Sequence, residues 1–142
     1  MQRSVPFFGP VRVALLPAII QTPWRFRTKR NLWGYAGLAV VTKTTADCGW
    51  EAGRPVRRRR APLTRGLNRD HNPVLKVVFK GAATAAKTQP GPLQDWYQAR
   101  LADGVREELA TVTLARKLTA IALRLRKKGE RFDPSKLTEP AR

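Results

Sequence analysis

The chain has 142 residues, with 28 Lys and Arg against 10 Asp and Glu, a formal net charge of +18. Hydrophobic residues make up 42%, including 4 Trp and 5 Phe, which is enough to build a core and excludes wholesale disorder. A single Cys excludes an internal disulfide framework and a multi-Cys zinc site, a single His leaves no His-based metal centre, and no apolar run approaches the roughly 20 residues that span a bilayer.

In chain order, Val5-Pro6-Phe7-Phe8-Gly9-Pro10 reads as a turn, followed by a short apolar helix over 11–20. Pro10 suits the first helical position, and Pro17 should kink or end the helix. Thr22-Pro23-Trp24 is a predicted loop. Thr28 can cap a second helix over 29–36, stopping at Gly37. Residues 38–60 change character. Leu38, Val40, Val41 and Thr42 are strand formers, and the Gly and Pro around Trp50 and Ala52 predict a ragged β-hairpin or long loop with basic flanks. Residues 61–71 are a predicted loop. Asn72-Pro73 supplies a cap and first position for a helix over 74–86, whose small Ala and Gly residues allow close approach to a neighbour. Gln89-Pro90-Gly91-Pro92 ends it.

Two further helical stretches are predicted over 93–101 and 105–128. In the second, Val105, Leu109 and Val112 share one face, while Leu114, Leu118, Ile121 and Leu125 share nearly the opposite one. Either the helix breaks near 111–113 or it packs on two sides. The second stripe leaves Arg106, Lys117, Arg124 and Lys128 along one flank. The tail over 129–142 holds two prolines and is predicted to be irregular. The fold class is mainly α, with strands expected only in 38–60.

The charge points to a polyanionic partner. Residues 1–60 hold 12 Lys and Arg and 2 acids, and no acid precedes Asp47. An acid-free N-terminus can be a transit peptide, but Ser is scarce and Pro6, Pro10, Pro17 and Pro23 break any long amphipathic helix. Arg57, Arg58, Arg59 and Arg60, with Arg54 and Arg65 nearby, are the sharpest local feature. Consecutive guanidinium groups bind phosphates bidentately and release counterions. The bland readings are a solvated charge run or a localisation signal. Lys76, Lys80 and Lys87 share a helix face, either a solvent face or, with Arg65, Asn68 and Arg69 upstream, phosphate contacts. Trp24, Trp33, Tyr35 and Trp50 lie among Arg25, Arg27, Lys29 and Arg30. They can stack bases or pack in the core, and burial is the ordinary fate of Trp33 and Tyr35 on a helix.

Catalytic chemistry is thin. The one close carboxylate pair, Glu107-Glu108, diverges by about 100° on a helix. His71 beside Asp70 can be a base or a plain loop position. Neither Ser4 nor Ser135 has a nucleophile-like setting. The residues alone describe a basic, mainly helical nucleic-acid-binding domain.

Three stretches go further. They are Val5-Pro6-Phe7-Phe8-Gly9-Pro10-Val11-Arg12, residues 26–38 from Phe26-Arg27-Thr28-Lys29 to Gly37-Leu38, and residues 64–83 from Thr64-Arg65-Gly66-Leu67-Asn68-Arg69-Asp70-His71-Asn72-Pro73 onward. Leu114-Ala115-Arg116-Lys117-Leu118 and Lys127-Lys128-Gly129-Glu130-Arg131-Phe132-Asp133 follow in matching order. Together they resemble the C-terminal domain of the insertion sequence 110/116/902 transposase family, over nearly the whole chain. The resemblance implies a helix-hairpin-helix-like segment at 1–37, a basic β/loop insert at 38–71, three or four packed helices over 72–128 and a tail at 129–142. It implies a site-specific DNA recombinase of bacterial mobile elements, cytoplasmic and nucleoid-associated. Its partners would be DNA, an element-encoded guide RNA and further subunits. In the family an N-terminal nuclease domain holds Mg²⁺ on an acidic quartet, and a serine of the C-terminal domain attacks the DNA backbone.

This sequence departs from that pattern. It begins at the helix-hairpin-helix segment and holds no acidic quartet, so no metal ligand and no cofactor is expected in the chain itself. Thr44 and Thr45 stand at the serine positions, where the extra methyl crowds in-line attack at phosphorus. The first glycine of the hairpin turn is replaced by Phe7 or Phe8. An incomplete or inactive member, or one half of a split gene, is the expectation. The competing class is a small basic RNA-binding protein of ribosomal type, without enzymatic activity.

Overall fold

The computed structural model describes residues 5–43, 48–57 and 63–137. Helix α1 (Pro10–Ile20) opens with proline at its first position and buries Leu16 and Ile20. Pro17 sits inside α1 and does not end it. A 3-10 turn (Pro23–Arg25) follows, its cap made by the Thr22 hydroxyl accepting from the Trp24 amide at 3.4 Å. Thr28 caps α2 (Lys29–Tyr35) through the Asn31 amide at 3.4 Å. Past its end, Gly37 has φ +69, and a Cβ there would lie 2.5 Å from Cγ of His71. Only glycine satisfies both the left-handed turn and that ring contact.

The four strands form two antiparallel ladders. β1 (Val40–Lys43) pairs with β4 (Leu63–Leu67), and between them in sequence β2 (Cys48–Glu51) pairs with β3 (Arg54–Arg57). β4 corrects the loop expected over 61–71. Thr64 and Gly66 are a weak strand signal locally. The ladder instead comes from a partner more than twenty residues away, Leu67 opposite Val40, with an irregularity between Val40 and Thr42.

Helix α3 (Pro73–Thr88) starts where Asn72 Oδ1 accepts from the Leu75 amide at 3.1 Å. Its buried face is Leu75, Val78, Phe79, Ala82, Ala83 and Ala86. The alanines let α5 (Glu107–Lys128) pack closely on it, with α4 (Pro92–Ala102) against both. Phe8 meets Phe79 edge-on at 6.0 Å between ring centroids. One core therefore runs from Val5 through α1, α2, Leu38 and α3 to α5 and Leu137.

Helix α5 runs unbroken through 111–113. Thr111 and Thr113 donate their hydroxyls to the Glu107 and Leu109 carbonyls at 2.9 and 2.7 Å, so these β-branched residues sit in the helix without interrupting it. The apparent phase change resolves as packing on several sides, against α2, α3, α4 and the 3-10 turn. Leu114, Ala115, Leu118, Thr119 and Ala122 are buried, whereas in the first stripe Leu109 is 53% exposed, Val112 is half-buried and Val105 packs against the edge of the core. The buried Thr119 hydroxyl is satisfied by the Ala115 carbonyl at 2.8 Å. Of the tail expected to be irregular, 130–133 are so, and 138–142 lie outside the described residues. A second 3-10 turn (Pro134–Leu137) returns Leu137 to the core. Among the described residues no helix is long and apolar enough to cross a membrane.

Leu118 is fully buried at the centre of this packing. Leu118→Ala is expected to lower the unfolding free energy by about 2–5 kcal/mol in urea melts. Leu118→Asp, which buries an unpaired charge, should give an unfolded or aggregated product.

Candidate nucleic-acid interface

Apart from those in ion pairs, the cations of the described residues include two populations. The first faces inward from α5 and donates to backbone carbonyls. Arg116 Nε reaches the Leu38 carbonyl at 2.6 Å and Lys117 Nζ the Leu137 carbonyl at 2.7 Å. Arg126 spans the Leu16 and Gln21 carbonyls at 3.2 and 2.9 Å, closing the end of α1. Lys127 Nζ bonds the Phe26 and Arg27 carbonyls at 2.6 and 3.1 Å. Burial draws Arg116, Lys117 and Arg126 below their ordinary pKa ranges, and Lys29 and Arg100 push Lys117 the same way. Cations also cover aromatic faces: Arg116 over Trp33 at 5.9 Å, Lys127 over Trp24 at 5.5 Å and Lys117 over Trp96 at 5.4 Å. The flank expected from Arg106, Lys117, Arg124 and Lys128 is therefore broken, since Lys117 turns inward.

Among the described residues the ion pairs lie in the C-terminal part: Lys87–Glu107 at 2.9 Å, Arg100–Asp103 at 3.0 Å, and Lys128 and Lys136 around Glu130 at 3.9 and 3.7 Å. The hydrogen bond to Glu107 holds Lys87 above its usual pKa. Lys87 is thus taken up by an acid and separates from Lys76 and Lys80, with which it shares a helix face.

The second population has no ion pair among the described residues. Arg27, Arg30, Arg54, Arg69 and Lys80 are exposed, and Lys76 is half-buried. Arg69 lies on a loop fixed from both sides. Asn68 donates its amide to the Gly34 and Asp70 carbonyls at 3.1 and 2.7 Å and accepts from the Asp70 amide at 3.1 Å. The Asn72 amide bonds the Tyr35 carbonyl at 2.9 Å. Asn68, expected among the nucleic-acid contacts, spends its side chain on this loop and positions Arg69. Beyond the loop, Lys80 shares the outer side of α3 with Val74 and Val77, which are 43% and 71% exposed. His71 packs on Gly37 with a buried Nδ1 that has no hydrogen-bond partner.

β2 and β3 form a separate arm. Their ladder is regular, with Cys48, Gly49, Trp50 and Glu51 opposite Arg57, Val56, Pro55 and Arg54. Ala52 and Gly53 at its tip have φ 51 and 73, the signature of a type I′ turn. From Trp50 to Val56 every residue is exposed, Trp50 by 73%. Of the interleaved aromatics, Trp33 and Tyr35 are half-buried, with Trp33 Nε1 donating to the Arg116 carbonyl at 3.1 Å, whereas Trp24 and Trp50 face outward.

Thr44, Thr45, Arg58, Arg59 and Arg60 lie outside the described residues. Arg57 and Arg65 are placed as strand positions of β3 and β4. The described residues do not fit a Mg²⁺ site: no group of three or more His, Cys, Asp or Glu comes together, and Glu107 is already held by Lys87. Sequence reading missed the inward turn of the α5 cations. Their only signal is a recurrence of basic residues beside buried Leu, which a solvent face produces equally well. No protein-family model, curated protein or solved structure matches this chain.

The turn carries a local strain, since Ala at left-handed φ costs roughly 1 kcal/mol. Ala52→Asn creates the Asn-Gly pair that type I′ turns prefer. It should slow amide exchange across the β2–β3 ladder about five-fold without moving the melting of the core.

Proposed function

We propose that this chain is the DNA-binding C-terminal part of an insertion-sequence transposase, acting in site-specific DNA transposition. The observation that carries the DNA-binding half of the reading is the second population of cations. Arg27, Arg30, Arg54, Arg69 and Lys80 are exposed without acid partners among the described residues, and the Arg57–Arg60 run follows β3 in sequence. Such groups gain from phosphates through counterion release, which their like-charged neighbours cannot offer.

The transposase half rests on the sequence resemblance, supported at one point by the backbone. The hairpin turn of the first segment is expected to carry glycine where this chain has Phe7 or Phe8. Phe7 has φ 70, a conformation glycine adopts freely, and its carbonyl accepts from Arg12 at 2.8 Å. Phe8 instead is buried against Phe79. In this reading Thr44 and Thr45, just past β1, hold the positions of the attacking hydroxyl. Metal chemistry would come from a nuclease domain, and a guide RNA and further subunits would complete the assembly.

Binding to a mixed-sequence duplex, followed by anisotropy across a salt series, tests the first half. The slope of log K against log salt should be steep, and Arg69→Ala or Lys80→Ala should each flatten it by about 0.9. Arg126→Ala, which removes an inward cation, should lower the melting temperature and leave the slope unchanged. A wild-type chain whose affinity ignores salt would overturn the reading.

For the second half, the isolated chain is expected to bind supercoiled plasmid without nicking it, with or without Mg²⁺. Thr45→Ser or Thr44→Ser, combined with an intact nuclease domain of the family, is the combination expected to restore nicking. Nicking by the wild-type chain alone, abolished by Thr45→Ala, would overturn the assignment of the chemistry to a composite site.

A further inference from the structure

We infer that the β2–β3 arm enters the major groove of duplex DNA, with Trp50 and Arg54 as its contacting side chains. The inference rests on the DNA-binding reading above and adds which element enters which groove.

A two-stranded hairpin with no buried face is marginal in water. This one pairs regularly yet leaves residues 50–56 exposed, including the large apolar surface of Trp50 and part of Val56. In the antiparallel ladder Trp50 stands opposite Pro55, so both lie on one face, while Glu51, Arg54 and Val56 lie on the other. Over residues 50–56 one face is thus apolar and the other mixed, and neither is covered. Its occupant must accept cations. Arg54 is exposed and without an ion pair among the described residues, and in sequence β3 ends on the first of four consecutive arginines, Arg57, Arg58, Arg59 and Arg60. The nearest acid on the arm, Glu51, faces Arg54 as one charge against five. A second copy of this chain would bring the same positive charge and repel it.

The dimensions choose the groove. Each strand has four residues, about 13 Å at roughly 3.3 Å per residue. Paired strands lie about 4.8 Å apart. The B-form major groove, about 12 Å wide and 8.5 Å deep, admits such a ribbon, whereas the minor groove at about 6 Å does not. The A-form major groove of RNA is too narrow for side chains to read. Entering tip first, the arm turns its two faces along the groove, so that the Arg54 guanidinium on one face suits a guanine edge and the Trp50 indole on the other suits a thymine methyl.

The test uses the full chain with three probes: a mixed-sequence DNA duplex, the same duplex with glucosylated 5-hydroxymethylcytosine filling its major groove, and an RNA duplex of the same sequence. The wild type should bind the plain duplex at least ten-fold more tightly than either other probe. Trp50→Ala and Arg54→Ala should each weaken binding to the plain duplex about ten-fold and abolish its preference over the filled one. Both residues are exposed, so the melting temperature should not change, and Ala52→Asn should bind at least as well as wild type. Equal binding by Trp50→Ala and wild type, or no sensitivity to the filled groove, overturns the inference and leaves DNA binding standing. Loss of self-association in Trp50→Ala with unchanged DNA affinity overturns it in favour of a chain-to-chain contact. A wild type that binds none of the probes overturns the DNA-binding reading itself.

Discussion

The structure depends on one long helix that is buried on several sides while carrying basic residues on them. Helix α5 can pack against α2, α3 and α4 only if Arg116, Lys117, Arg126 and Lys127 find acceptors as they leave water. They find them in the backbone, at Leu16, Gln21, Phe26, Arg27, Leu38 and Leu137. Apart from Leu16, inside α1, these are carbonyls at helix ends and in connecting segments, groups that regular structure leaves unpaired. A hydrogen bond from a charged donor is worth about 1.5–3 kcal/mol, against about 0–1 kcal/mol for an exposed ion pair. The short, proline-broken N-terminal segments are thus held by α5 more than by their own helix-forming tendency.

This use of charge separates two meanings of a high net charge. A cation bonded to a carbonyl has lost part of its hydration and is not free to meet a phosphate. Outward cations lie on α2 and just before it, on the arm, on the Asn68–Asn72 loop and on the outer side of α3, and also at Arg106, Arg124 and Arg131 on and beside α5. Arg69 lies beside the root of the β1–β4 ladder, because Asn68 and Asn72 bind its loop to Gly34 and Tyr35 and the Asn68 amide meets the Ala39 carbonyl at 2.9 Å.

Local chemistry was legible from the residues. Thr28 and Asn72 cap helices as side-chain acceptors, Pro10 and Pro73 open them, and Gly37 takes the left-handed turn. What was not legible depends on distant partners. β4 exists because β1 is there, Leu137 is ordered because Lys117 reaches its carbonyl, and the threonines of α5 look like a break until their hydroxyls are seen turned back on the helix. At the candidate site the residue types were readable and their exposure was not. Trp33 and Trp50 have similar basic neighbours in sequence, yet one donates to a carbonyl of α5 and the other faces outward. Asn68 was read as a contact because it sits between Arg65 and Arg69, while its amide closes the turn that presents Arg69.

The arm has a further consequence, for how such a protein can diversify. Its distal ladder keeps one unbroken register, and none of its residues from 50 to 56 contributes to the core. Residues added in pairs, one to each strand, would lengthen it without shifting any contact of the helices, whereas a single added residue would turn one strand's side chains over. Reach and surface chemistry can then drift by small even steps while selection on folding acts elsewhere. The fold separates what must be inherited intact from what can be rewritten.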